Sequence, residues 1–218
     1  PDMATMLAFI ATDANIGQDA LQDCLSGAVG KSFNRITIDG DTSTNDACVL
    51  VATGKGTALE PGTQGYTLFS EALTDICVQL AKAIVRDGEG ATRFVTITVE
   101  EGATTDECLQ LAYTIAHSPL VKTALFAGDP NWGRILAAVG RAGIVDLDLS
   151  QVEIYLDEIC IVREGGRAAD YTEAAGQQVM DREAVTIRVV LNRGACSEAV
   201  WTCDLSYDYV KINAEYRT

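Results

Sequence analysis

The chain has 218 residues, 48% hydrophobic and 22% charged, and its 31 acidic against 16 basic side chains give a formal net charge of −15. That length can bury a sizeable core, as one large domain or two small ones. The charge argues against nucleic acid, whose binding rests on neutralising phosphates with Lys and Arg, and against an anionic membrane surface.

Met6–Ala11 is a short apolar run closed by Thr12-Asp13-Ala14-Asn15, which reads as a buried strand and a turn. A helix follows with Leu21, Cys24, Leu25, Ala28 and Val29 along one stripe. Arg35–Ile38 reads as a short strand leading into the polar cluster Asp39–Asp46, Ala47–Ala52 as another buried strand, and the glycine-rich stretch Gly54–Tyr66 as a loop. A long amphipathic helix carries Leu73, Ile76, Cys77, Leu80, Ala81, Ile84 and Val85 and ends at Asp87-Gly88-Glu89-Gly90, the best domain seam. Phe94–Val99 alternates like a half-exposed strand, and Thr104 with Glu107 forms a capping box ahead of Cys108, Leu111, Ala112 and Ile115. Leu120–Ala127 reads as a strand. Asp129-Pro130 reads as an N-cap acid with proline at the first helical position, opening a helix through Ile135, Leu136 and Val139. From Val152 onward the pattern is mostly strands, Val152–Leu156, Ala184–Leu191 and Ala199–Leu205, with a polar helix or loop near Tyr171–Met180.

Seven cysteines without a C-x-x-C pair read as small core residues rather than metal ligands or disulfides, which implies a reducing compartment. No apolar stretch reaches the ~18 residues of a membrane span, and no signal peptide is evident. The first residue is Pro1 rather than Met, as in the tail part of a longer translation product. An acidic protein that binds an anionic small molecule needs local cations; the candidates are Lys82, Arg93, Lys122, Arg134 and Lys211.

Four stretches are richer in small, polar or turn-forming residues than a core requires: Met3-Ala4-Thr5-Met6-Leu7, Thr37–Asp46, Asp87–Thr92 and Gly128–Leu136. In the second, Asp39, Asp41, Ser43 and Asn45 are spaced like the first ligands of a calcium loop. That loop needs Gly at its sixth position and Glu at its twelfth, where Thr44 and Leu50 stand. A phosphatase-like reading of Asp39 and Asp41 fails too, because Gly133 stands where a second magnesium-binding acid is needed. The first stretch offers different chemistry. A threonine hydroxyl is a poor nucleophile until something takes its proton, and cleavage between Ala4 and Thr5 would turn the α-amine of Thr5 into that base. No histidine is then needed, and the sole histidine, His117, reads as structural.

Together and in this order, the four stretches resemble the β chain of the glutamate N-acetyltransferase/ornithine acetyltransferase family of arginine biosynthesis, through the ending Val210-Lys211-Ile212-Asn213-Ala214-Glu215-Tyr216-Arg217-Thr218. The resemblance implies a precursor that cuts itself between Ala4 and Thr5, with Thr5 as nucleophile and acetyl carrier. It implies Thr5, Glu89, Asn213 and Thr218 as substrate-binding residues, and supporting or structural roles for Asp39–Asp46 and Asp129–Arg134. The oxyanion-hole donors and a substrate-binding lysine are expected upstream of Pro1, in an α chain from the same precursor, in an α2β2 assembly. A processed β chain begins at Thr5; an uncut form lacks the free amine and is expected not to carry acetyl.

The fold so implied is α/β, a layered helix–sheet–sheet–helix sandwich completed by the missing α chain, with a smaller α+β C-terminal region. Its parts are residues 1–90, 91–205 and a tail, 206–218, that returns to the active site and is expected to be held by burial of Tyr207, Tyr209, Val210, Ile212 and Tyr216. The implied reaction moves acetyl from N2-acetylornithine to glutamate, without metal or cofactor and with acetyl-CoA as a co-substrate in some members, in the cytosol or an organelle matrix. Two rivals stand beside it. One is an N-terminal-nucleophile aminopeptidase or amidase of related fold. The other is an acidic interaction module whose Gly/Asp turns serve only folding.

Overall fold

The computed structural model describes residues 6–216. Thr5 and Thr218 therefore lie outside the described residues. Two compact units divide the rest, residues up to 36 with 41–84, and 37–40 with the residues from 85 on.

In the first unit β1 (Leu7–Thr12) is followed by the short β2 (Asn15–Ile16) and by α1 (Gln18–Gly30), which buries Leu21, Cys24 and Ala28, the stripe read from the sequence. Next come β3 (Ala47–Ala52), β4 (Ala58–Leu59) and α2 (Gln64–Arg86). β1 and β3 form a parallel pair with Leu7 opposite Ala47 and Phe9 opposite Val49, and β2 and β4 form another. Side chains alternate across a strand, so Leu7, Phe9, Val49 and Val51 share one face of the β1–β3 pair. All four are exposed, Phe9 by 77%. Leu68, Ile76 and Leu80 of α2 are exposed as well, beside the buried Leu73, Cys77 and Ala81.

The strands expected to be buried, β1 and β3, thus expose one face, and two further expectations for this part of the chain are corrected. Arg35–Ile38 is not a strand. Phe33–Arg35 forms a 3-10 turn, closed by the Arg35 guanidinium donating to the Gly30 carbonyl at 2.8 Å. The loop expected over Gly54–Tyr66 holds β4 and the first residues of α2.

The second unit is built on a six-stranded mixed sheet. Its elements in chain order are β5 (Phe94–Gly102), α3 (Thr105–Ala116), α4 (Pro119–Ala127), α5 (Trp132–Gly140), β6 (Glu153–Leu156), β7 (Ile159–Arg163), β8 (Gly166–Arg167), α6 (Glu173–Met180), β9 (Ala184–Val190), β10 (Cys196–Cys203) and α7 (Tyr207–Glu215). The sheet order is β10-β5-β9-β6-β7-β8, with β5 and β9 parallel and the remaining pairs antiparallel. Val95, Ile97 and Val99 of β5 and Val185, Ile187 and Val189 of β9 are buried in one core with Leu111 and Ile115 of α3 and Val139 of α5. The alternate residues carry polar partners: Arg188 pairs with Glu100 at 3.1 Å and lies over the Tyr155 ring at 3.9 Å. The α/β reading holds, with helices layered on a sheet.

Thr104 caps α3 as expected, its side chain accepting from the Glu107 N–H, while Glu107 reaches back to the Ala103 N–H. Leu120–Ala127, expected as a strand, is the helix α4. Ser118 caps its start by accepting from the Val121 N–H, Pro119 fills its first turn, and Gly128 ends it in the left-handed region at φ +67°. The cap of α5 is Asn131 rather than Asp129; the Asn131 side chain accepts from the Arg134 N–H, and Asp129 orients it by accepting from its amide at 2.9 Å. The tail forms α7, but not by burial of its apolar residues. Tyr207, Val210, Ile212 and Tyr216 are exposed, and polar anchors hold the helix instead.

Candidate active site

α2 ends in a tight glycine turn: Gly88 N–H meets the Val85 carbonyl and Ala91 N–H meets the Gly88 carbonyl. This turn lifts Glu89 into an exposed position. Gly90 has φ +67°, and a Cβ there would lie 2.5 Å from the Tyr209 nitrogen and 2.7 Å from Ser206 Oγ. Only glycine permits so close an approach between the turn and the start of α7. Ser206 works on both sides of that approach, donating its hydroxyl to the Gly90 carbonyl at 2.6 Å and capping α7 through the Tyr209 N–H at 3.2 Å.

The consequence appears along the helix. Asn213 Nδ2 donates to Glu89 Oε2 at 2.7 Å, across 124 residues of sequence, and to the Tyr209 carbonyl at 3.0 Å. Two of the four expected site residues are thus in direct contact; Thr5 and Thr218 lie outside the described residues.

The anchors beneath this pair were not read from the sequence. Asp204, 3% exposed and just past β10, accepts from the Thr92 N–H, the Thr92 hydroxyl and the Arg93 N–H at 2.8, 2.6 and 2.8 Å. The Tyr209 hydroxyl donates to Asp39 at 2.8 Å, and Phe126 meets the Tyr207 ring edge-on at 5.4 Å between centroids. One signal was available: acid and hydroxyl residues that cluster just beyond a strand end commonly serve as local caps.

Among the cations set aside for an anionic ligand, Arg93, Arg134 and Lys122 are held by oxygens of the fold. Arg93 donates to the backbone carbonyls of Arg182, Leu125 and Met180. Arg134 donates to the Leu120 carbonyl at 2.9 Å. Lys122 is 4% exposed and its ammonium meets Thr202 Oγ1 at 3.0 Å and the Cys203 carbonyl; burial holds its pKa below the usual lysine value, opposed by Cys203, Asp204 and Asp39. His117 hydrogen-bonds Thr37 at 3.1 Å, in keeping with a structural role. All seven cysteines are free, four of them buried, and burial pushes the Cys77 thiol up to about 11, so that thiol stays protonated at neutral pH. No group of metal-ligating side chains occurs among the described residues, and no described helix is long and apolar enough to cross a membrane.

The chain is thus a mixed α/β protein in which a glycine turn presents an acid to an asparagine on α7. The chain belongs to the ArgJ family, whose model matches residues 1–218. It is 60% identical to the arginine biosynthesis bifunctional protein ArgJ of Pseudomonas fluorescens (strain Pf0-1) over 221 residues and 61% identical to that of Methylococcus capsulatus over 220. Each match covers 100% of this chain, which spans 55% and 54% of those relatives. A crystal structure of the arginine biosynthesis bifunctional protein ArgJ from Bacillus halodurans matches at a TM-score of 0.91 and 40% identity, over 97% of this chain and 100% of that one.

Proposed function

We propose that this chain is the β-chain half of a self-cleaving acetyltransferase that moves acetyl from N2-acetylornithine to glutamate. The observation that carries the reading is the Glu89–Asn213 contact. A carboxylate backed by an amide suits the cationic side chain of ornithine, and the amide offers a donor to a substrate carboxylate. Both belong where two amino acids exchange in one pocket. Family membership and relatives named for arginine biosynthesis support the same assignment.

Cleavage before Thr5 frees its α-amine. Thr5 Oγ then attacks the acetyl carbonyl of acetylornithine while the amine takes the hydroxyl proton. The acetyl C–N bond breaks, the ammonium returns that proton to the departing nitrogen, and ornithine leaves an acetyl ester on Thr5. The amine of glutamate attacks the ester carbonyl next; its proton passes through the same α-amine to Oγ as the ester C–O bond breaks. Acetyl-CoA would load the same hydroxyl, with its thiol as leaving group. No step calls on a metal or a resident cofactor. The oxyanion donors and a substrate lysine belong to the α chain, in an α2β2 assembly. The exposed apolar face of β1 and β3 supports such a partner, because a parallel sheet is ordinarily covered on both faces. Seven free thiols suit the reducing cytosol or an organelle matrix.

Glutamate dependence tests the reaction class. The purified two-chain protein is expected to release ornithine in large excess over enzyme only when glutamate is present. Release at the same rate without glutamate would assign the chain to the N-terminal-nucleophile amidases instead.

A further inference from the structure

One carboxylate at the head of β1 is only half used. Asp46, the last residue of the polar run Asp39–Asp46, accepts the Met6 N–H on Oδ1 at 2.9 Å. Its other oxygen, Oδ2, is buried and meets no hydrogen-bond donor among the described residues. A buried carboxylate oxygen without a donor is costly and calls for an explanation. Covalent structure supplies one. Met6 N is bonded to the carbonyl carbon of Thr5, so bond lengths alone keep the two backbone nitrogens no more than about 3.7 Å apart, and a carboxylate fixed to one can reach the other.

We propose that Asp46 is the positioning carboxylate for the α-amine of Thr5, with Oδ2 accepting from that amine once cleavage frees it. The inference rests on the reading of Thr5 as nucleophile. Asp46 stays ionised throughout. When the amine takes the hydroxyl proton of Thr5, the resulting ammonium faces Asp46 Oδ2 and is stabilised by it, and the proton then leaves to the departing nitrogen. The division of labour is that of a Ser-His-Asp triad, with the α-amine in place of the imidazole. The Met6 N–H held on Oδ1 sets the carboxylate's orientation.

The test uses the full-length precursor and, where a variant fails to split, the two chains co-expressed with the β chain beginning at Thr5. Asp46→Asn keeps the shape and the Met6 contact but removes the charge. It is expected to lower kcat about 100-fold or more while the KM for acetylornithine stays within about threefold. Loss of an adjacent negative charge lowers the pKa of the amine, so the acid limb of kcat/KM moves to lower pH. Asp46→Glu retains the charge and is expected to keep the parental limb at reduced kcat. A parental kcat in Asp46→Asn, a low kcat with an unmoved limb, or a limb that moves equally in both variants overturns the proposal. Thr5→Ala runs in parallel. If it retains turnover, the nucleophile reading itself fails; if it is inactive while Asp46→Asn is normal, only the role of Asp46 falls.

Discussion

The two units solve the same problem with different completeness. In the second, a six-stranded sheet lays Val95, Ile97, Val99, Ile187 and Val189 against α3 and α5, and those side chains are fully or nearly fully buried. In the first, two separate two-stranded parallel pairs leave Leu7, Phe9, Val49 and Val51 in solvent. Isolated parallel pairs of this kind lack the strands and covering layers that normally support them. One unit contains its own core. The other leaves an apolar face exposed, which the proposed α chain would cover, and the proposed nucleophile precedes its first strand.

Opposite substitutions break or sharpen this contrast. Phe9→Asp puts a charge on the exposed face and is expected to have the largest effect, loss of the assembled two-chain particle in size-exclusion chromatography. An assembled variant with parental elution would make that face a simple solvent face. Ile97→Ala acts inside the second unit, where removing a buried aliphatic side chain costs about 2–5 kcal/mol; denaturant titration of the assembled protein measures it. A loss below ~1 kcal/mol would mean that the six-stranded core is looser than its burial implies.

The smallest effect concerns pH. Partial burial, then Lys122 and Arg141, hold His117 below the ordinary histidine pKa, with Asp39 opposing. The unfolded chain therefore takes up this proton first as pH falls. The contribution is fully present above the unfolded value of about 6.5 and is lost as pH drops through the folded pKa. Melting temperatures from pH 8 to 5 are expected to fall less in His117→Gln than in the parent. Parallel curves would remove His117 from the pH response.

Much of this architecture was legible in residue order. The spacing of Leu21, Cys24 and Ala28, the Thr104–Glu107 capping box and the alternation in Phe94–Val99 each encode a local preference, and each element formed. α4 differs from the strand expected because Leu120–Ala127 is a short run, apolar apart from Lys122 and Thr123, of a kind that a buried helix and a buried strand share. The deciding signals sat outside the run, in Ser118-Pro119 and Gly128. The tail departs from expectation for another reason. Its aromatic residues suggested burial, whereas Ser206, Tyr209 and Asn213 fasten it through hydrogen bonds to residues over a hundred positions away. Glu89 and Asn213 were legible through family resemblance. Asp46 is legible only as part of the Asp39–Asp46 run and Asp204 not at all, since their roles depend on which backbone N–H each carboxylate meets.

Intact mass spectrometry of the β chain after brief exposure of the assembled protein to acetylornithine, without glutamate, tests the central claim most directly. The chain is expected to begin at Thr5 and to gain one acetyl group, located on Thr5 by fragmentation and removed when glutamate is added. An uncut or unacetylated chain in a preparation that turns over at full rate would contradict the account.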